Sequence, residues 1–204
     1  MRPDMASPAN RPNVSGRVVA SSLAPRFSGG RRVVGRASTI EGLDGTGKRV
    51  AIASARFHGE IVERLYEGAM AFLGQQGVAA EDVERVEVPG AWELPLALEW
   101  LVRSGSHHLM VALGVVIRGD TPHFDYVCAA CADGIQRVTL DHGTPIGFGV
   151  LTCDTREQAL ARAGGDAGNK GWEAAQAALE MAILRERIGA RRPAASVAIP
   201  SRAS

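Results

Sequence analysis

Short apolar runs alternate with stretches in which apolar residues recur every three or four positions, and the alternation continues from about residue 49 to residue 187. Arg49 to Ala55, Val83 to Val88, His108 to Ile117 and Pro145 to Leu151 are of strand length and bounded by turn residues, so they predict four strands. Ile61, Leu65, Ala69, Phe72 and Leu73 fall on one face of a helix after the first run, and Ala91 to Val102 repeats the pattern after the second. His123 to Leu140 predicts a third helix. Gln158 to Ala163 and Gly168 to Arg187 predict two more, separated by a stretch containing Gly164, Gly165 and Gly168. No internal repeat is evident. Strand and helix in alternation predict a mainly parallel sheet covered on both faces, a single-domain three-layer α/β/α sandwich. In such sheets ligands bind beyond the carboxyl ends of the strands, which directs the search for chemistry to the strand-to-helix junctions.

Composition narrows the function classes. The 204 residues, 46% apolar, suffice for one well-buried core. The longest apolar run, Leu109 to Ile117, is nine residues, far short of the ~20 of a membrane-spanning helix, and predicts a soluble protein. Residues 1–40 carry seven Arg and one acid, Asp4, while residues 41–188 carry 13 basic and 21 acidic residues, a net of −8. An acidic body argues against nucleic acid as a partner. The first 40 residues lack apolar periodicity and read as a disordered extension, with a domain over 41–188 and a loose tail over 189–204. The Arg-rich, Ser-rich leader also matches an organelle transit peptide, so a plastid stays open beside the cytoplasm as the compartment. Cys128 and Cys131 form a single Cys-x-x-Cys and Cys153 stands apart. These are too few ligands for structural zinc and an odd number for disulfides, so they read as small apolar residues and no metal site is expected.

Gly42 to Lys48 matches the first seven positions of a phosphate-binding P-loop. Such a loop must open a helix and end in a magnesium-binding hydroxyl. Here Arg49 replaces the hydroxyl, and the β-like Val50 to Ala55 follows. Nucleotide binding is therefore the rejected rival reading.

Four junctions remain. Phe57 follows the first strand, where an aromatic ring can stack on a flat heterocycle, although a lone Phe is more often core. Glu93 follows the second strand in Val88-Pro89-Gly90-Ala91-Trp92-Glu93, and taken alone it reads as a surface acid at a helix start. The third strand runs into Arg118-Gly119-Asp120-Thr121-Pro122-His123, where free N–H groups and a hydroxyl at a helix start make an anion cradle, with His123 beside it as an acid/base. Arg162 and Lys170 lie in the glycine-rich stretch, one suited to phosphate and the other to a carbonyl oxygen.

Taken together and in order, these segments resemble the lumazine synthase family over about residues 45–188. The run from Gly114 to Tyr126, the strand from Pro145 to Thr152 and Gly168-Asn169-Lys170-Gly171 carry the likeness. The resemblance implies a flavodoxin-like fold and a transferase of riboflavin biosynthesis. It would join 5-amino-6-(D-ribitylamino)uracil to 3,4-dihydroxy-2-butanone 4-phosphate without metal or organic cofactor. It further implies that Phe57 stacks on the pyrimidine, that Glu93 with backbone groups of Ala91 and Trp92 binds the ribityl chain, and that Val116 and Ile117 read the uracil edge. Gly119, Asp120, Thr121 and Arg162 would hold the phosphate, His123 would move protons, and Phe148 and Lys170 would complete the pyrimidine pocket. Phe148, Arg162 and Lys170 would come from the adjacent subunit of a pentamer. Free pentamers, decamers and sixty-subunit shells all stay open, and riboflavin synthase is a candidate partner. His58 stands where many relatives have Asn, and Asp166 where many have Lys. A cage-forming or flavin-binding member without catalysis is a further alternative, against which His123, Arg162 and Glu93 argue.

Removal of residues 1–40 is expected to leave turnover intact, because every candidate site residue lies at or beyond Phe57. Activity lost in a truncated protein that still assembles would give the leader a role in catalysis.

Overall fold

The computed structural model describes residues 42–190, so the leader and all but the first two residues of the expected tail lie outside the described residues. The elements follow as β1 (Val50–Ala55), α1 (Gly59–Gln75), β2 (Val83–Val88), α2 (Leu94–Ser104), β3 (Leu109–Ile117), α3 (His123–His142), β4 (Ile146–Cys153), α4 (Arg156–Arg162), β5 (Ala163–Gly165), β6 (Gly168–Asn169) and α5 (Lys170–Ala190). The four long strands form one parallel sheet in the order β2-β1-β3-β4. Val50 and Ile52 of β1 turn to the face covered by α1, α4 and α5, where Leu65, Phe72, Leu109, Leu113 and Leu179 pack. Ala51, Ala53 and Ala55 turn to the opposite face with Leu94, Leu98, Met110, Ala112 and Ile135, under α2 and α3. The three expected layers are therefore present, in a flavodoxin-like arrangement.

β1 is buried on both faces, as a central parallel strand must be, whereas β2 at the edge carries Glu84, Arg85 and Glu87. Arg85 grips both carboxylate oxygens of Glu63 on α1, at 3.1 and 2.7 Å, with its guanidinium 4.1 Å from the Tyr66 ring centre. These hydrogen bonds hold the Glu63 carboxyl below its ordinary range.

α4 begins two residues before the expected Gln158, because Thr155 caps it by accepting from the Gln158 N–H, and three further boundaries differ for local reasons. Ala91–Glu93 is a 3-10 turn before α2, because the Glu93 carboxylate folds back to accept from the Gly90 N–H at 2.9 Å. Gly168 and Asn169 pair with β5 in a small hairpin instead of opening the last helix. Asn169 Oδ1 accepts from the N–H groups of Gly171 and Trp172, so it caps α5, and its amide nitrogen donates to the Arg64 carbonyl of α1. β4 runs two residues past the expected Leu151, because Cys153 pairs with Ile117.

Gly42 to Lys48 leads into β1 and not into a helix; Asp44 accepts from the Thr46 N–H, and Lys48 is paired with Glu186 of α5. That disposes of the P-loop reading. Cys131 and Cys153 are buried and Cys128 half-buried, with burial pushing the Cys131 thiol up to about 12. Among the described residues no helix is long and apolar enough to cross a membrane.

α1 and α5 meet at Gly171, where a Cβ would overlap the backbone carbonyl of Leu65. Neither backbone can yield without parting Asn169 from α1. Gly171→Ala is expected to cost about 1–3 kcal/mol of stability, the range for overpacking a filled contact. Gly74→Ala, with open space around it in α1, serves as the control. Equal thermal midpoints for the two variants would show that the α1–α5 contact is looser than drawn.

Candidate active site

β1 and β3 lie side by side, yet their connections leave in opposite directions. α1 carries the chain from β1 toward β2 over one face, and α3 carries it from β3 toward β4 over the other. The crevice beyond the carboxyl ends of two such strands is where open α/β sheets place ligands. Phe57 and the segment from Gly119 to His123 stand on its two sides, and Pro89 to Glu93 of the β2 junction closes the third.

Phe57 is held from behind. Its N–H donates to the Pro89 carbonyl at 3.2 Å, and its ring lies so close to Gly90 that a Cβ there would meet the ring at 2.8 Å. Its other face is open, and the side chain is 67% exposed, so the core reading of Phe57 fails. His58 follows in the left-handed region at φ 58, heading α1. Asn, Asp and His are the side chains most often accommodated there, so His58 suits its backbone.

Glu93 uses one carboxylate oxygen to fasten Gly90, with Ala91 buried beside it and Trp92 exposed. Val116 and Ile117 are the half-buried last residues of β3. Gly119, Asp120 and Thr121 are exposed beyond them, and no side chain caps the first turn of α3. The uncapped N–H groups of a 20-residue helix face this crevice end with His123, itself exposed, as the first helical residue.

The remaining three candidates are elsewhere. Phe148, Arg162 and Lys170 line one depression of about 230 Å³ along the outer edge strand β4. Phe148 pairs with Ala112, five residues before Ile117 on β3, which sets it roughly 16 Å back along the sheet at ~3.3 Å per residue. It is 45% exposed. The Arg162 guanidinium donates to the Gln158 carbonyl at 3.0 Å, and Lys170 is paired with Glu173 at 2.6 Å. Asp166 sits at the exposed turn between β5 and β6. One chain thus gathers the candidates into two clusters, ten residues including His123 at the crevice and three on the β4 edge.

Two features escaped the sequence. One is Gly90 as the backing of Phe57, a contact across two strands. The other is Arg118, whose guanidinium joins Asp154 at 2.9 Å and Asp125 at 3.1 Å and lies 4.1 Å over the Phe124 ring. Its place at the end of the longest apolar run was the only available signal, and its partner Asp154 is 36 residues away.

A family model described as 6,7-dimethyl-8-ribityllumazine synthase matches residues 47–186. The 6,7-dimethyl-8-ribityllumazine synthase of Desulfovibrio desulfuricans is 50% identical over 151 residues, covering 74% of this chain and 97% of its own length. The protein of the same name from Desulfatibacillum aliphaticivorans is 51% identical over 148 residues, 72% of this chain and 96% of its own length.

Proposed function

The chain belongs to the 6,7-dimethyl-8-ribityllumazine synthase family, and we propose that each of its catalytic centres is divided between two neighbouring subunits of a pentameric ring. It is a transferase that condenses 5-amino-6-(D-ribitylamino)uracil with 3,4-dihydroxy-2-butanone 4-phosphate, releasing phosphate and water, in the penultimate step of riboflavin biosynthesis. The observation that carries the divided site is the separation of the two clusters. Phe148, Arg162 and Lys170 open outward from the edge of the sheet, while Phe57, Glu93 and His123 surround the crevice. A head-to-tail contact that sets the β4 edge of one copy against the crevice of the next joins the two, and repeated rotation closes a ring.

Within that joined site the residues divide the work. The pyrimidine stacks on the open face of Phe57, with Phe148 and Lys170 of the neighbour completing its pocket and Val116 and Ile117 reading its uracil edge. The carboxylate of Glu93, with the backbone of Ala91 and Trp92, takes the ribityl hydroxyls. Gly119, Asp120 and Thr121 lead the phosphate onto the uncapped start of α3, and Arg162 of the neighbour supplies the charge-assisted contact. The substrate amines are the nucleophiles, so the protein supplies position and protons. His123 donates to the departing oxygens during imine formation and dehydration, and removes the proton that accompanies phosphate loss. The uncapped N–H groups and Arg162 stabilise the phosphate as it leaves. No step calls for a metal or an organic cofactor. A cytoplasmic location is proposed, with a plastid as the alternative if residues 1–40 are removed on import. Free pentamers, decamers and sixty-subunit shells are the alternatives for further assembly, and riboflavin synthase, which uses the product, is a candidate partner.

Two experiments test this reading. With both substrates present, the protein should generate the absorbance and fluorescence of the lumazine, and His123→Ala should slow turnover by about 10 to 10⁴-fold while sparing pyrimidine binding. A large loss of pyrimidine affinity at unchanged kcat would refute the role given to His123. Coexpression of His123→Ala with Arg162→Ala should then restore activity, because roughly a quarter of the sites in an equal mixture draw both intact residues. A site contained within one chain would give no recovery above the parents in rings confirmed as mixed by mass spectrometry.

A further inference from the structure

Arg118 stands between the two clusters of a single chain and touches the support of each. Its backbone N–H continues the sheet by donating to the Cys153 carbonyl at 2.9 Å. From there the side chain reaches in two directions. Toward α3, Nη1 lies 3.1 Å from Asp125 Oδ1 and the guanidinium stacks on Phe124, so the two residues that follow His123 are both in its grip. Toward α4, Nε donates to Asp154 Oδ1 at 2.9 Å. The Asp154 N–H donates in turn to the Gln158 side chain at 3.0 Å, and the Gln158 carbonyl accepts from Arg162. A continuous path of polar contacts therefore runs from the first turn of α3 through Arg118 to Arg162.

The geometry points to Arg118 as a positioning residue that sets His123 and Arg162 of the same chain at once. This deepens the proposed function and rests on its divided site, in which those two residues serve different catalytic centres. A single side chain would then align parts of two adjacent centres around the ring. Arg suits the task because its planar fork meets two carboxylates and an aromatic face together, which a Lys ammonium does not reproduce. The stability at stake is small, since Arg118, Asp125 and Asp154 are all substantially exposed and exposed ion pairs contribute little in water. Its effect should therefore appear in kinetics and not in folding.

Arg118→Gln, in the full chain, is expected to keep its thermal midpoint and its pyrimidine Kd. Its kcat should fall and its KM for the butanone phosphate should rise, each by about 10-fold or more, since displacing a positioned group by about 1 Å can cost up to 10²-fold. Arg118→Lys should recover little of either. Constants within about twofold of the unsubstituted protein would overturn the proposal, as would equal weakening toward both substrates with a lowered midpoint. Mixed rings then separate the two arms. Arg118→Gln should fail to restore activity when coexpressed with His123→Ala and again when coexpressed with Arg162→Ala, because each working site would need a half that Arg118 no longer holds. Recovery with either partner would overturn the dual role and leave Arg118 serving only one cluster. Asp154→Asn cuts the α4 arm alone, so it should recover with His123→Ala and not with Arg162→Ala; the reverse pattern contradicts the path. The pair His123→Ala with Arg162→Ala is the control. If that pair fails to recover, the divided site falls, and the kinetic constants of Arg118→Gln alone decide whether Arg118 positions the two residues.

Discussion

Parallel hydrogen bonding between β1 and β3 brings together two strands whose chains then depart over opposite faces of the sheet. Neither following helix can cover the gap between them, because each is drawn away to pack on its own side. The crevice is thus a by-product of connectivity, and it exists before any catalytic side chain is placed. What the chain adds is its lining: an aromatic ring backed by a glycine, a carboxylate braced on one oxygen, and a helix start left without a cap. Among the described residues no side chain caps that start, and the N–H groups of a helix start suit an anion.

Much of this was legible from residue order. β2 was located to the residue because Val83 to Val88 is bounded by turn signals, and the other strands were displaced by no more than two residues at either end. Helix starts were harder. α2 and α5 begin two or three residues late, in each case because a side chain turns back onto the backbone, Glu93 onto Gly90 and Asn169 onto Gly171 and Trp172. Periodicity reports which face of a helix is buried and carries no information about such returns. The β5–β6 hairpin escaped for another reason, since two glycine-rich segments of three and two residues have no pattern to read.

Phe57, Glu93 and His123 could be picked out because they occupy junctions that the fold class makes important. Their weighing one by one was less successful. Phe57 alone reads as core, yet its ring lies exposed against Gly90, a contact across the β1–β2 pair. Arg118 is the plainest case of what residue order conceals. Nothing adjacent to it in the chain announces Asp154, and their meeting depends on Ile117 and Cys153 ending their strands side by side.

The position of α5 has a consequence for how the molecule comes into being. It is the last element of the described chain, yet it covers the face of the sheet formed by Leu109, Val111, Leu113 and Leu151, and Asn169 at its head fastens it to α1, the first helix. During synthesis the sheet strands emerge while the part of that face under α5 is still uncovered. The nascent chain must carry this bare apolar surface until residues 170–190 have left the ribosome, at a pace of about 5–20 residues per second. The part of the core under α5 is therefore the last of that face to close as the described elements are made.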